Sequence, residues 1–136
     1  MKAYVWDPSL ETGNEKIDTQ HRQFISAINN IIDAHREGKS KEELANTLDF
    51  LSGYSILHFS DEEKLMMQCK YSEYTLHKRY HNEFKETVSK LSKRLMEDII
   101  TDDLVNNVIS TLAEWLFSHI KGEDFRMAAY VKSQLQ

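Results

Sequence analysis

Two pairs of metal-competent side chains, each four residues apart, constrain the fold of this chain more than any other feature. His58 and Glu62 form one pair, and His77 and His81 form the other. Four residues are about one turn of an α-helix, so both members of each pair share a helix face. A carboxylate on an apolar face is costly to bury unless it is paired or bound to a metal. The pairs therefore predict helices that carry a buried metal site.

Apolar spacing and capping residues predict the helices around these pairs. Asp18, Ser40 and Thr101 are expected to be N-caps, and Ser40 opens a capping box with Glu at the fourth position. Gly38 and Gly122 are expected to end the first and fourth helices. The expected bounds are about 18–37, 40–69, 72–96 and 101–122, with a short C-terminal helix over about 125–135.

Four long helices with short connections predict an all-α fold, an antiparallel up-down-up-down four-helix bundle with residues 1–16 as an N-terminal arm. The chain has 136 residues with four glycines and one proline, which is typical of one domain, 1–136, made of long helices. In this topology, the start of helix one, the end of two, the start of three and the end of four lie together. His21, the two pairs and His119 all fall in that half of the bundle.

Asp124 completes the candidate set, although it follows His119 by five residues. Five residues turn an α-helix by roughly 500°, so the two side chains would not share a face of one continuous helix. We expect Gly122 to let the helix end and the chain turn back. His35, the sixth histidine, has no partner at helical spacing and is interpreted as a helix-end residue. The candidate ligands are His21, His58, Glu62, His77, His81, His119 and Asp124.

Five imidazoles and two carboxylates favour Fe, Zn, Mn or Cu over Ca or Mg. The His-Glu-x-x-His pattern of zinc proteases is absent, and so is the Glu-x-x-His pair of glutamate-rich di-iron proteins. For two six-coordinate metals, two bridging carboxylates and a solvent-derived oxo or hydroxo bridge give each metal three ligands. Five imidazoles then fill one metal and leave one open position on the other. An open position among apolar residues suits a small diatomic ligand.

The sequence resembles the hemerythrin family, in particular the single-domain bacterial hemerythrins. The resemblance covers essentially the whole chain and includes every candidate ligand position. The fold of that family is the predicted bundle, of which it is a standard example. The matching segments are Val5-Trp6, Gly13, Ile17-Asp18-x-Gln20-His21, His58-Phe59-x-x-Glu62-Glu63-x-x-Met66, Tyr71, His77-x-x-x-His81-x-x-Phe84 and Trp115-Leu116-x-x-His119-Ile120-x-x-x-Asp124.

This resemblance implies a non-haem di-iron centre with an oxo or hydroxo bridge and O2 as its ligand. It also implies which residues hold each iron and which cover the oxygen. The saturated iron would take His77, His81 and His119, the open iron would take His21 and His58, and the bridges would be Glu62 and Asp124. The oxygen pocket would be Phe24, Phe59, Trp115, Leu116 and Ile120.

Reversible oxygen binding for storage, delivery or scavenging is the function that the resemblance implies. None of the five pocket residues is a free acid or base, which disfavours an enzyme that activates oxygen by proton delivery. Two alternatives stay open: a sensor of O2 or redox state that a partner protein reads, and a di-iron enzyme that handles peroxide or nitric oxide.

Composition and net charge indicate which binding partners and which cellular compartment to expect. The net charge of −5 and the lack of a dense basic run disfavour nucleic acid. No apolar run approaches the ~18 residues of a membrane span, and the N-terminus lacks the apolar core of a signal peptide. One cysteine, Cys69, forms no intrachain disulfide framework. We therefore expect a cytoplasmic monomer with no membrane partner.

Overall fold

A computed structural model describes residues 3–134, and over that range the chain is helical with no strand. The four long helices pack against each other in chain order, and the fourth also packs against the first. This confirms the predicted four-helix bundle with a short C-terminal helix, although Leu135 lies outside the described residues. The helices are α1 (Glu15–Arg36), α2 (Lys41–Gln68), α3 (Tyr74–Glu97), α4 (Asp102–His119) and α5 (Phe125–Gln134), with a 3-10 turn at Pro8–Leu10 and a π-helical turn at Ile120–Asp124.

Three of the predicted helix ends are formed by the residues expected. The Ser40 hydroxyl accepts from the Glu43 N–H at 3.2 Å, and the Thr101 hydroxyl accepts from the Leu104 N–H at 3.1 Å. Gly38 has a φ of +71°, which glycine adopts without strain. Its N–H and the following one bond back to carbonyls in the last turn of α1. These caps satisfy backbone groups that a helix end leaves unpaired.

Asp18 is not the N-cap of α1, so that prediction is wrong. The helix begins earlier, where the Asn14 side chain accepts from the Ile17 N–H at 3.1 Å. Asp18 is buried, and its carboxylate accepts from the N–H and hydroxyl of Thr12 at 2.9 and 2.8 Å and from the Gly13 N–H at 3.3 Å. An aspartate that binds the preceding turn resembles a cap in sequence. Its carboxylate instead fixes the arm to α1.

The N-terminal arm lies along the bundle and ends where α1 begins at Glu15, two residues earlier than the predicted bound. Tyr4 and Asn29 exchange two hydrogen bonds, from the Tyr4 N–H at 2.8 Å and to the Tyr4 carbonyl at 2.9 Å. Trp6 packs on the core, and the Arg22 guanidinium lies 4.7 Å from its ring centroid. Leu10 in the 3-10 turn is buried. These contacts hold the described part of the arm against the helices.

The inner faces of the four helices are apolar in the half of the bundle away from the histidines. Burying a Leu, Ile, Val or Phe side chain contributes roughly 1.5–3 kcal/mol. This apolar half holds the helices in place and so leaves the other half free to carry polar side chains. Buried residues of the apolar half include Ile28, Ile32, Leu48, Leu91, Leu95, Val105 and Val108.

Within residues 3–134, no helix is long and apolar enough to cross a membrane.

The π-helical turn joins α4 to α5 without a break. The prediction that the helix ends at Gly122 is therefore wrong, because Gly122 lies inside this turn and Phe125 continues in helical conformation. In a π-helix the backbone hydrogen bonds join residues five apart, whereas in an α-helix they join residues four apart. The turn therefore brings Asp124 onto the same side as His119 with no reversal of the chain.

Candidate metal centre

Seven buried polar side chains meet at one end of the bundle. They come from the start of α1, the end of α2, the start of α3, the end of α4 and the π-helical turn. Each is at most 2% exposed, as the bundle topology requires for residues on inward faces. All seven residues predicted as ligands are brought together: His21, His58, Glu62, His77, His81, His119 and Asp124.

The two oxygens of Glu62 face different histidines. Its Oε1 lies 3.3 Å from His77 Nε2 and 3.0 Å from His81 Nε2. Its Oε2 lies 3.0 Å from His58 Nε2 and 3.6 Å from His21 Nε2. One carboxylate thus separates the imidazoles into two groups.

Asp124 divides the imidazoles in the same way. Its Oδ1 lies 3.0 Å from His77 Nε2 and 3.1 Å from His119 Nε2, and its Oδ2 lies 2.8 Å from His21 Nε2. Each resulting group offers ligand atoms that all lie within 4.8 Å of one another. The three-histidine group is His77, His81 and His119 with both carboxylates, and the two-histidine group is His21 and His58 with the same carboxylates.

Several of these buried atoms have no hydrogen-bond partner in the described chain, although they lie close together. His21 Nε2, for example, lies 2.8 Å from Asp124 Oδ2 and 3.6 Å from Glu62 Oε2 and yet makes no hydrogen bond. Buried polar groups without partners are rare, and a metal ion would satisfy them. The residues therefore fit a metal that accepts imidazole and carboxylate ligands. The unpartnered atoms include His21 Nε2, His58 Nε2, Glu62 Oε2 and both Asp124 oxygens.

A second layer of side chains faces the outer ring nitrogens. Two histidines of the three-histidine group face carboxylates, whereas one histidine of the two-histidine group faces an amide. These outer partners were not predicted as site residues, because they have no spacing typical of metal ligands. Two sequence signals exist: each is adjacent to a candidate ligand, and Gln20 and Glu63 lie in the segments that carry the family resemblance. The contacts are His81 Nδ1 to Glu63 at 2.9 Å, His119 Nδ1 to Glu123 at 3.3 Å and His58 Nδ1 to Gln20 at 2.7 Å.

The sequence model of the family described as the hemerythrin HHE cation binding domain matches residues 12–131. The chain belongs to the hemerythrin family. A bacteriohemerythrin of Pseudomonas aeruginosa is 34% identical over 131 residues, which cover 96% of this chain and 81% of that protein. A myohemerythrin of Theromyzon tessulatum is 29% identical over 125 residues, which cover 92% of this chain and 91% of that protein.

A solved wild-type hemerythrin has the same fold. It matches this chain with a TM-score of 0.80, covering 96% of this chain and 98% of that chain. At 24% sequence identity, this likeness concerns the fold alone.

Two of the predicted pocket residues lie against histidines of the centre, Phe59 against both groups and Phe24 against the two-histidine group. Phe59 stacks on His81, with ring centroids 4.0 Å apart, and its ring also lies 5.7 Å from His58. Phe24 meets His58 edge to face at 6.4 Å. Both phenylalanines are buried. They form an apolar wall on the side of the centre that faces the middle of the bundle.

The other three predicted pocket residues come from α4 and the π-helical turn. Trp115 stacks on His119 with centroids 4.5 Å apart, and it lines a surface cavity of about 440 Å3 that also touches His119. Leu116 and Ile120 are buried in the same apolar core as the phenylalanines. Trp115 therefore lies on the three-histidine side, between that cavity and the phenylalanine wall.

The carboxylates of this buried cluster raise the pKa of neighbouring histidines. Burial lowers the pKa of His21, but Asp124 and Glu62 outweigh it and raise that pKa to about 9. Burial likewise lowers the pKa of His119, but Asp124, Glu123 and Glu62 raise it to about 10. Burial raises the pKa of Glu62, yet the facing histidines hold it well below its usual range. Without metal, the centre therefore holds protons on His21 and His119 at neutral pH.

The metal-free protein is expected to lose thermal stability as pH rises above neutrality. A histidine with a raised folded-state pKa stabilises fully below its unfolded value of 6.5 and loses this contribution as pH rises through the folded value. For His21 and His119 the window runs from 6.5 to about 9 and about 10. The measurement is the unfolding midpoint of chelator-treated protein across that window. A midpoint that stays level there would contradict the proton-holding role.

Proposed function

We propose that this hemerythrin-family protein binds dioxygen reversibly at a pair of irons held by the seven buried residues. The observation that carries the proposal is that each carboxylate faces two unequal groups of imidazoles, one with each of its oxygens. Glu62 and Asp124 each turn one oxygen toward three histidines and the other toward two. Two metals with shared carboxylates and unequal imidazole counts leave a free coordination position at one of them.

The protein's own residues would hold and orient the irons. His77, His81 and His119 would serve one metal, and His21 and His58 would serve the other. The carboxylates would bridge, and burial would exclude water. A pair of irons, when bound, supplies the electrons and the open position that a small diatomic ligand needs.

The surroundings of the centre support a carrier better than an enzyme. Phe24 and Phe59 form an apolar wall, and Leu116 and Ile120 extend it. The acidic side chains of the outer layer face the Nδ1 atoms of histidines and not the interior of the centre. Reduction of oxygen to peroxide or water consumes protons. An apolar wall without an acid therefore favours the release of intact oxygen.

The protein is expected to contain about two irons per chain, without haem. The seven ligands and their two groups are the reason, since one metal would leave several buried polar atoms without a partner. The measurement is metal analysis of protein produced with iron available, normalised to protein concentration. One zinc per chain with little iron would contradict the di-iron assignment.

The function itself is tested by cycling oxygen. The iron-loaded protein is reduced without air, exposed to O2 and then returned to low oxygen while its visible spectrum is followed. A carrier should form a coloured oxygenated state and lose it reversibly through several cycles. Rapid irreversible oxidation in the first cycle would instead favour a sensor or an enzyme of peroxide or nitric oxide.

We also propose that residues 1–136 form a single hemerythrin-like domain. The match over residues 12–131 and the packing of both the arm and α5 on the bundle support this. Limited proteolysis should then leave one resistant core that includes all four long helices.

A further inference from the structure

The outer layer of hydrogen bonds around the centre differs between the two groups of histidines. In the three-histidine group, His81 faces the Glu63 carboxylate at 2.9 Å and His119 faces the Glu123 carboxylate at 3.3 Å. In the two-histidine group, His58 faces the Gln20 amide, and His21 Nδ1 has no hydrogen-bond partner among the described residues. In the three-histidine group, carboxylates thus contact the outer Nδ1 atoms of two histidines. In the two-histidine group, no carboxylate among the described residues contacts an outer Nδ1 atom.

We propose that Glu63 and Glu123 are positioning residues that make the three-histidine position the stronger site for oxidised metal, while Gln20 keeps the two-histidine position weaker. This inference rests on the proposed pair of metals. The three side chains touch histidines and not the metals, so they would act through the imidazoles.

A carboxylate behind an imidazole does two things. It accepts the Nδ1–H and so fixes the tautomer that directs the Nε2 lone pair inward, and it makes that nitrogen a more basic ligand. A more basic ligand stabilises a more highly charged metal. An amide oxygen also fixes the tautomer, but it carries no net charge. Glu63 and Glu123 are mostly buried, with side chains 15% and 17% exposed, so water screens their charge little.

The orientation of the Gln20 amide follows from its second contact. Its Nε2 donates to Asp61 Oδ2 at 2.8 Å, and its Oε1 lies 2.7 Å from His58 Nδ1. Asp61 can only accept when ionised, so the NH2 end must face it and the oxygen must face His58. Gln20, on α1, therefore presents a fixed hydrogen-bond acceptor to His58 on α2. The Asp61 carboxylate contacts Gln20 and does not contact the imidazole itself.

The experiment compares three charge-changing variants with a matched control. Glu63→Gln and Glu123→Gln keep an acceptor but remove the charge, and Gln20→Glu adds a charge behind His58. Glu42→Gln makes the same change on an exposed residue at the other end of α2, about 24 Å from His58 along the helix. Two quantities are measured: the affinity for Zn2+, which has no redox chemistry, and the midpoint potential of the iron-loaded protein.

We expect Glu63→Gln and Glu123→Gln to weaken Zn2+ binding by about 10–100-fold and to shift the iron midpoint potential upward. Gln20→Glu should shift that potential downward, and Glu42→Gln should match the parent in both quantities. The opposite directions at Glu63 and Gln20 separate electronic tuning from simple structural damage, which would lower affinity in both variants.

Failure of this inference is distinguishable from failure of the proposed function. If the parent protein does not hold two irons, the proposed function fails and the outer layer has no pair to tune. If the parent holds two irons but Glu63→Gln and Glu123→Gln match Glu42→Gln in affinity and potential, the inference is overturned. Weaker affinity with an unshifted potential in the iron that remains also overturns it, because the role would then be structural only.

Discussion

Replacing Glu62 with alanine is expected to remove most of the bound iron, whereas replacing His35 with alanine is expected to leave iron content near the parent level. Glu62 is fully enclosed and faces four imidazoles through its two oxygens. In the proposed site, its loss takes one ligand from each metal and one bridge from the pair. Removing one partner from a buried charged cluster costs about 3–5 kcal/mol, which is more than a hundredfold in an equilibrium constant.

His35 is the matched comparison because it is a histidine outside the centre. Its Nε2 lies 2.7 Å from Asp102 Oδ1, and Asp102 is largely exposed. A contact with an acid so exposed to solvent contributes about 0–1 kcal/mol, so His35→Ala should change stability little and metal content not at all. Iron per chain is measured for both variants after circular dichroism has established equal helix content. Equal iron in the two folded variants would contradict the bridging role of Glu62.

The bundle was predictable because its signals are local and repeated. Apolar residues recur at helical spacing over several turns, and Ser40, Thr101 and Gly38 cap helices through contacts within the neighbouring turn. Errors occurred where two local arrangements share one sequence pattern. An aspartate such as Asp18 can cap the helix that follows it or bind the turn that precedes it. Only the packing of the arm selects between them.

The π-helical turn could not have been predicted from local preference. An i→i+5 turn is rare and has no strong residue signature, so Gly122 was interpreted as a helix end. The sequence did contain the clue in another form, since Asp124 had to face the same centre as His119 five residues earlier. A π-helix forms backbone hydrogen bonds between residues five apart, so such residues lie on nearly the same side. The requirement of the site, and not the propensity of Gly122, explains the conformation of this segment.

The candidate ligands and their outer partners differ in how visible they are in sequence. The ligands have helical spacing and lie on apolar faces, so a bundle topology brings them to one end. The outer partners are polar residues at partly exposed positions; Gln20 and Glu63 lie in the segments that resemble the family, but their own spacing does not indicate a histidine partner. Contacts between distant residues are equally hidden: the His35–Asp102 pair joins the end of α1 to the start of α4. Such pairings depend on side-chain packing across the bundle.

Replacing Leu116 with aspartate is expected to speed the irreversible oxidation of the oxygenated protein while both irons stay bound. Leu116 is buried and precedes His119 by three residues, so it covers the same face of α4 one turn nearer the middle of the bundle. Burial favours the protonated form of a new carboxyl group, which makes it a proton donor. In the proposed site, the two irons would supply two electrons and the added acid would help supply two protons, so oxygen would leave as hydrogen peroxide and not as O2.

Three further variants separate the effect of the added proton donor from the other effects of this substitution. Leu116→Met keeps volume and polarity and should behave like the parent. Leu116→Asn has the shape of aspartate without its acidic proton, so it reports the effect of polarity and added water alone. Leu112→Asp places the same acid at an equally buried position one turn farther from the centre. The measurement is decay of the oxygenated spectrum in air at fixed pH, with iron content followed in parallel. If Leu116→Asp keeps its iron and decays no faster than Leu116→Met, Leu116 does not cover the oxygen position, and the predicted pocket is wrong.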